Sequence, residues 1–300
     1  MNILQTLDKL YASFPCTNFF LRSIRYSMRI IANLYVKFFY FIDNKKHNVD
    51  KNTIIISLTS FPARIRNVWM TCATLLNQDI DNKHIVLWLS NLQFKNQYKD
   101  LPKNLLKLQS KGLDIRFVDD DLRPHKKYFY AFQEYPDNVV VTVDDDILYN
   151  PELVSELIKI YHQHSDCVIC NRSVNIRRDK YSKWCTNTVY KKELANIMPT
   201  GIGGVLYPPH IFDNSPVFDV DAIKSTCING DDLWLNFMTR LNGHLAVQTE
   251  FRTGLITVLS SQEDALCKEN VGENKNDLQI NKISQWAKGK FGFDFFHNCE

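Results

Sequence analysis

The sequence lacks the features that mark several common classes of protein. It has no run of about 18 uncharged apolar residues, so a transmembrane helix is not predicted. The net charge of +3 is too small to indicate nucleic-acid binding. Cys167 and Cys170 form a lone C-x-x-C, and a second metal-binding pair is missing, so a zinc site is not predicted either. Cations interrupt the apolar N-terminal region, which disfavours a secretory signal. We therefore expect a cytoplasmic protein whose cysteines are reduced and mostly buried.

From about residue 53, short apolar runs alternate with segments of helical periodicity. Strands separated by helices are typical of an α/β fold with a mostly parallel sheet and right-handed crossovers. The predicted strands of the first half cover residues 53–58, 85–89, 114–118 and 139–143. We expect residues 51–300 to form this α/β domain, with 1–50 as a separate helical extension.

The central strand of this pattern, Val139–Val143, leads directly into Asp144–Asp146. An uninterrupted, mostly β-branched run is typical of a strand that is covered on both faces. Ligands bind beyond the carboxyl ends of such strands. Three adjacent carboxylates repel one another, and Mg²⁺, Mn²⁺ or Ca²⁺ would offset the repulsion. The alternative is that the aspartates are solvated turn residues before a helix that starts at Asn150-Pro151.

Two later motifs follow this strand. Gly203 and Gly204 belong to a glycine-rich segment without the spacing of a phosphate-binding loop, so we expect them to let the backbone approach a ligand. Asp231 and Asp232 then open a predicted helix that ends near Gly243. The simpler interpretation of these two acids is that they cap the helix and interact favourably with its dipole.

The order of these motifs resembles the GT-A class of nucleotide-sugar glycosyltransferases. It looks most like the large bacterial inverting family that builds surface polysaccharides. Asp144 and Asp146 match the D-x-D of that family at the end of the central strand. Asp231-Asp232 stands in place of the acidic pair that carries the catalytic base, and Lys126-Lys127 in place of a basic residue on the nucleotide. The resemblance covers about residues 53–250.

The resemblance implies a GT-A (Rossmann-like) fold, with a mostly parallel sheet flanked by helices. It implies transfer of a sugar from a nucleoside-diphosphate sugar, with UDP-sugars favoured, to a hydroxyl of a glycan or lipid-linked acceptor. Capsule, lipooligosaccharide or O-antigen synthesis would use such a reaction. The chain departs from the family in having Asp231 for Glu and Lys for Arg. It also has no downstream Q-x-x-R-W, which favours transfer of single sugars over processive synthesis.

The resemblance also implies a role for each candidate residue. Asp146 would bind Mn²⁺ or Mg²⁺ directly, and Asp144 would bind it through water or hold the ribose. Asp232, with Asp231 second, would take the proton of the acceptor hydroxyl. His297 is the candidate for a third metal ligand. The residues expected around the nucleotide sugar are Thr59, Ser60, Arg64, Lys126, Lys127, Asp144, Asp145, Gly203 and Gly204.

Two other classes of protein remain open. A nucleotidyltransferase or metal-dependent phosphotransferase also places aspartates at a strand end, but it transfers phosphorus and would be recognised by its products. A non-catalytic scaffold that retains the fold would bind neither metal nor nucleotide.

Residues 1–50 are rich in aromatic and aliphatic residues. Arg22, Arg25 and Arg29 are spaced three and four apart, so they share one face of a helix. Aliphatic residues cover much of the opposite side: Ile24, Met28, Ile31 and Leu34. A basic amphipathic helix of this kind is typical of a peripheral protein on an anionic membrane surface, here the inner face of the cell membrane. The alternative is a helix docked on the protein's own core with solvated arginines. Residues 47–52 are predicted to be a linker.

Overall fold

The computed structural model describes residues 3–14, 18–40, 42, 49–259, 275–297 and 299. Its fold is mixed α/β, with an eight-stranded, mostly parallel sheet flanked by helices. The helices are α1 (Ile3–Ser13), α2 (Phe19–Phe39), α3 (Val68–Leu76), α4 (Lys103–Lys107), α5 (Lys126–Glu134), α6 (Leu153–Tyr161), α7 (Val220–Ala222), α8 (Asp231–Leu241) and α9 (Lys275–Phe291). The strands are β1 (Ile54–Thr59), β2 (Lys83–Ser90), β3 (Leu113–Val118), β4 (Val140–Thr142), β5 (Ile147–Leu148), β6 (Val168–Cys170), β7 (Ser173–Asn175), β8 (Glu193–Leu194), β9 (Ile197–Pro199), β10 (Val205–Tyr207), β11 (Ala246–Gln248) and β12 (Ile256–Thr257).

The strand order in the large sheet is β3-β2-β1-β4-β10-β6-β11-β8. The first four strands run parallel, and β10 is antiparallel to both of its neighbours, β4 and β6. Val205 at the start of β10 therefore pairs with Thr142 at the end of β4. This arrangement brings the glycine-rich segment before β10 to the same edge of the sheet as the aspartates that follow β4.

Apolar residues of the central strands alternate between two cores. In β4, Val141 and the following Val143 face the core under α3, α4 and α6, whereas Val140 faces the core under α5. In β1, Ile56 lies on the first side and Ile55 on the second. The prediction of a central strand covered on both faces is confirmed, because both sets of side chains are buried.

The predicted strands 53–58, 85–89, 114–118 and 139–143 are confirmed, and every end agrees within two residues. The helix predicted to start at Asn150-Pro151 is present, but α6 begins two residues later, at Leu153. The Asn150 side chain accepts the backbone N–H of Glu152 at 3.0 Å in a tight turn and donates to Asp8 at 2.9 Å. The six cysteines within the described residues are free, and four of them are buried.

The N-terminal helices pack against β5 and β12, and α2 does so through its arginine face. Arg25 Nη1 donates to the carbonyls of Tyr11 and Phe14 at 2.6 and 2.7 Å. Arg29 donates to the carbonyls of Thr257 and Val258, both at 3.1 Å. The helix is thus docked on the protein as one alternative expected, but these two arginines are not solvated.

Of the predicted linker 47–52, residues 47 and 48 lie outside the described residues. Within the parts of the chain that the structure describes, no helix is both long and apolar enough to span a bilayer.

Candidate active site

A cleft of about 520 Å³ opens at the carboxyl ends of β1 and β4. This volume is within the usual range of small-molecule sites. The cleft is bordered by the first turns of α5 and α8 and by the segment before β10. The structure brings ten of the predicted site residues together in its wall: Thr59, Ser60, Arg64, Lys126, Lys127, Asp144, Asp145, Asp146, Asp231 and Asp232.

All three consecutive aspartates are paired with cations of the protein itself, and Arg64 pairs with two of them. Arg64 Nη1 lies 2.6 Å from Asp145 Oδ1 and 3.3 Å from Asp146 Oδ2. The Ser60 hydroxyl donates to the second oxygen of Asp145 at 2.5 Å. The repulsion within the triplet is therefore offset in part without a metal, and Asp145 serves to hold Ser60 and Arg64 in place.

Lys127 lies at the centre of the carboxylates and is almost fully buried. Its ammonium group lies 2.8 Å from Asp144 Oδ1 and 2.8 Å from Asp231 Oδ2. Burial opposes the charge on Lys127, but the carboxylates of Asp144, Asp231 and Asp232 outweigh burial and raise its pKa well above the ordinary value. Lys127 is therefore a fixed cation that neutralises its neighbours.

Asp231 and Asp232 are adjacent in the first turn of α8, yet their environments separate them. Burial alone would raise the pKa of Asp231, but the ion pair with Lys127 brings it below the usual value. Burial, and then the charge of Asp231, raise the pKa of Asp232 to about 7. Two neighbouring carboxylates with divergent pKa values are typical of acid–base sites, because the one near neutrality exchanges protons readily.

The carboxylate of Asp232 is oriented by the backbone of Gly201. The Gly201 N–H lies 3.1 Å from Oδ1 and 3.0 Å from Oδ2 of Asp232 and donates to both. A Cβ at position 201 would lie 2.9 Å from Lys127 Nζ, 3.0 Å from Asp144 Oδ1 and 3.1 Å from Asp232 Oδ1. Glycine at this position lets the three side chains meet the backbone without being displaced. Gly201 belongs to the predicted glycine-rich segment but was not among the predicted site residues.

The two glycines that were expected at the ligand, Gly203 and Gly204, have packing roles instead. A Cβ on Gly203 would lie 2.8 Å from Cβ of Arg172, and Gly204 has a φ of +78° and lies against Leu153. In this segment it is Gly201 that lies close to the site side chains, and the approach of the backbone to a ligand stays a prediction.

His297 does not lie at the cleft. His297 is exposed, and its backbone carbonyl accepts a hydrogen bond from Arg240 Nη2 at 3.2 Å. Arg240 lies in the last turn of α8. Nine residues of helix, or about 13 Å, separate Arg240 from Asp231. The prediction of His297 as a metal ligand is therefore not supported.

The cleft wall carries six aspartates and only four cationic side chains. Within the described residues, no three His, Cys, Asp or Glu side chains are arranged to hold a metal ion by themselves. Mg²⁺ and similar ions are commonly held by one or two carboxylates together with substrate phosphates. Asp144 and Asp146 supply two such carboxylates. The residues therefore fit an ion whose other ligands come from a phosphorylated ligand.

Several cleft residues had no signal in the sequence. Arg123 has a φ of +51° and donates to Asn229 Oδ1 at 2.9 Å, so it joins the start of α5 to the loop before α8. Tyr181, Thr257 and Asn276 also line the cleft. Arg123, Thr257 and Asn276 are brought to the cleft only by tertiary packing, whereas Tyr181 is an aromatic residue in a polar loop, a setting in which an aromatic ring can either stack on a sugar or anchor the loop.

No family model and no curated protein matches this sequence. Among solved structures, the chain is similar to the mannosyltransferase PcManGT from Pyrobaculum calidifontis in complex with GDP-Man and Mn²⁺. The sequence identity is 8%, the match covers 95% of this chain and 76% of that chain, and the TM-score is 0.46. It is also similar to an apo UDP-glucose pyrophosphorylase, with 9% identity, 80% and 99% of the chains covered, and a TM-score of 0.38. A UTP-bound UGPase from Acinetobacter baumannii gives the same identity and coverage with a TM-score of 0.41. At these values the likeness assigns neither a family nor an activity.

Proposed function

We propose that this chain is a metal-dependent glycosyltransferase. It moves one sugar from a nucleoside-diphosphate sugar, with UDP-sugars favoured, to a hydroxyl of a glycan or lipid-linked acceptor in surface-polysaccharide synthesis. The observation that carries the proposal is the position of Asp232, which is oriented by the Gly201 N–H and lines the same cleft as Asp144 and Asp146. A hydroxyl is a poor nucleophile, so its attack needs a carboxylate of this kind as general base.

The donor would lie across the ends of β1 and β4. Thr59, Ser60 and Arg64 border the side expected to receive the nucleotide, and Asp144 and Asp146 would hold Mn²⁺ or Mg²⁺ against the diphosphate. When bound, such an ion stabilises the negative charge that develops on the leaving nucleoside diphosphate.

Proton transfer follows from the separation of the two acids in α8. Lys127 keeps Asp231 ionised without making it a good proton acceptor, because the pKa of Asp231 is lowered. The acceptor proton therefore goes to Asp232, whose orientation is fixed by the Gly201 N–H. A single displacement with one base inverts the configuration at the anomeric carbon.

The nucleotidyltransferase alternative is less favoured by this arrangement. Its nucleophile would be a phosphate oxygen, which is already ionised at neutral pH and needs no general base. An Asp232 carboxylate with a pKa near 7 would then have no catalytic task.

The reaction products distinguish these functions. Purified protein is incubated with Mn²⁺ and a panel of nucleotide sugars, with and without candidate acceptors, and the released nucleotide is identified. A glycosyltransferase releases nucleoside diphosphate, and NMR of the product shows a linkage inverted from that of the donor. Pyrophosphate formation from a nucleoside triphosphate and a sugar phosphate would instead establish nucleotidyl transfer. Failure to bind any nucleotide with or without metal would favour the scaffold.

A further inference from the structure

Helix α2 presents a large apolar surface to solvent. Seven of its 21 residues are large hydrophobic side chains with exposed fractions between 46% and 86%. They are Phe19, Phe20, Tyr26, Ile31, Leu34, Phe38 and Phe39. Single exposed hydrophobic residues are normal on a protein surface. Four of the seven, Phe20, Ile31, Leu34 and Phe38, have the spacing that places them on one face of the helix, and a grouped apolar surface of this kind marks an interaction site.

The opposite face of α2 is where the helix meets the protein. Met28, Ala32 and Val36 are buried there, and Ala32 and Val36 join the small core of α1, β5 and β12. Arg25 and Arg29 are on this side and donate to backbone carbonyls, as described above. A surface helix ordinarily turns its apolar stripe inward, but α2 turns two of its cations inward and much of its aromatic surface outward.

We propose that the exposed face of α2, defined by Phe20, Ile31, Leu34 and Phe38, inserts into the interfacial layer of a lipid bilayer. The helix contains no carboxylate, so nothing on it repels anionic headgroups. Aromatic residues stand at both of its ends, and Lys37 is exposed, with its ammonium 5.3 Å from the Phe38 ring. Aromatic and cationic side chains are the residues that favour the boundary between water and lipid.

A second copy of the chain suits this face less well than lipid does. Pairing two α2 helices would bring their cations together without a carboxylate on either helix to neutralise them. A bilayer accepts the apolar side chains and leaves Lys37 in the headgroup layer.

The inward position of Arg25 and Arg29 determines which interaction dominates the proposed membrane contact. Because these cations bind backbone carbonyls of the protein, attachment depends on apolar insertion more than on charge. Salt screens the attraction between exposed charges but does not weaken apolar burial. Binding is therefore expected to persist in high salt and on uncharged phosphatidylcholine, which is the reverse of what a basic helix face would give.

The test is flotation of the full chain with phosphatidylcholine vesicles, with and without phosphatidylglycerol, at low and high salt. The informative variant is the double substitution Ile31→Asp and Phe38→Asp. The matched control is Leu278→Asp, which changes a side chain of similar exposure on α9. The unmodified chain and the control are expected to float with both vesicle types at both salt concentrations. The double variant is expected to bind at least about tenfold less, because two inserted apolar side chains are lost.

Four outcomes would overturn the proposal. They are equal flotation of the double variant, no flotation of the unmodified chain, release of the chain by high salt, and a dimer that the double variant disrupts without any change in flotation. If the double variant does not fold, as judged by circular dichroism, Phe20→Ser with Leu34→Ser replaces it. The readout is lipid binding and not turnover, so its failure is distinct from failure of the proposed reaction.

Discussion

Replacement of Asp232 by Asn should have opposite effects on activity and on stability. The substitution removes the general base, so turnover is expected to fall by about 10²–10⁴ while donor binding stays nearly intact. It also removes a carboxylate that the folded protein tolerates poorly in its charged form. A residue that serves only as a helix cap would behave differently, since loss of a cap destabilises a protein by about 1 kcal/mol.

The size of the stability effect follows from the pKa of Asp232. In the folded protein this pKa is about 7, against an ordinary value of 3.8. Between these values the folded state keeps a proton that the unfolded state releases, so the free energy of unfolding falls as pH rises. At about 1.4 kcal/mol per pH unit, the total loss is on the order of 4 kcal/mol. The Asn variant does not undergo this loss.

The Asp232→Asn variant should therefore be more stable than the unmodified protein at about pH 8, and the difference should shrink as pH falls toward 4. Urea denaturation at a series of pH values measures this, alongside turnover. The comparison variant is Asp231→Asn, which removes the negative neighbour of Asp232. It should shift the midpoint of the pH–rate profile to lower pH, because the pKa of Asp232 falls. An Asp232→Asn protein that is less stable at alkaline pH, or that keeps more than a tenth of the turnover, would refute this reasoning.

Three further substitutions address the rest of the cleft. Gly201→Ala should lower turnover, but by less than the roughly 10²-fold that a 1 Å misplacement costs, because the added carbon requires Asp232 to shift by only a few tenths of an ångström. Its control in the same turnover assay is Gly289→Ala, which has nothing within 4 Å of the added carbon and should be neutral or slightly stabilising by equilibrium unfolding. Lys127→Met should destabilise the protein by about 3–5 kcal/mol in urea, because it leaves buried carboxylates unpaired, and an unchanged midpoint would show that the pairs contribute nothing. Asp146→Asn should abolish the Mn²⁺ dependence of UDP binding in calorimetry, whereas the exposed control Asp137→Asn should retain it. If the unmodified protein and both variants bind UDP equally well with and without metal, an ion site is contradicted.

Much of the fold was predictable because its signals are local. The runs that became β1 and β4 are uninterrupted and β-branched, and such runs specify buried strands with little help from their surroundings. Asp231 and Asp232 lie in the first turn of α8 as their helical pattern predicted. The start of α6 was predicted two residues early, and the bond of Asn150 to Asp8, which is 142 residues away in the sequence, has no local signal.

The parts of the site that could not be predicted depend on contacts between distant segments. The antiparallel direction of β10 brings Gly201 to Asp232, and the sequence around Gly201 does not reveal that direction. Lys127 was expected at the phosphates, but its pairing with Asp144 and Asp231 requires knowledge of how α5 and α8 meet. The inward position of Arg29 likewise depends on the carbonyls of β12.

The pairing of the aspartates with Arg64 and Lys127 bears on the order in which ligands arrive. A site whose carboxylates are each close to one of the protein's own cations depends little on an ion in order to fold, even though the cations are fewer than the carboxylates. Ion binding and folding are then only weakly linked, so chelation should leave the melting temperature unchanged while it abolishes nucleotide affinity. Under the proposed function, the ion would enter together with the diphosphate and leave with it, as part of the substrate and not as a permanent component of the enzyme.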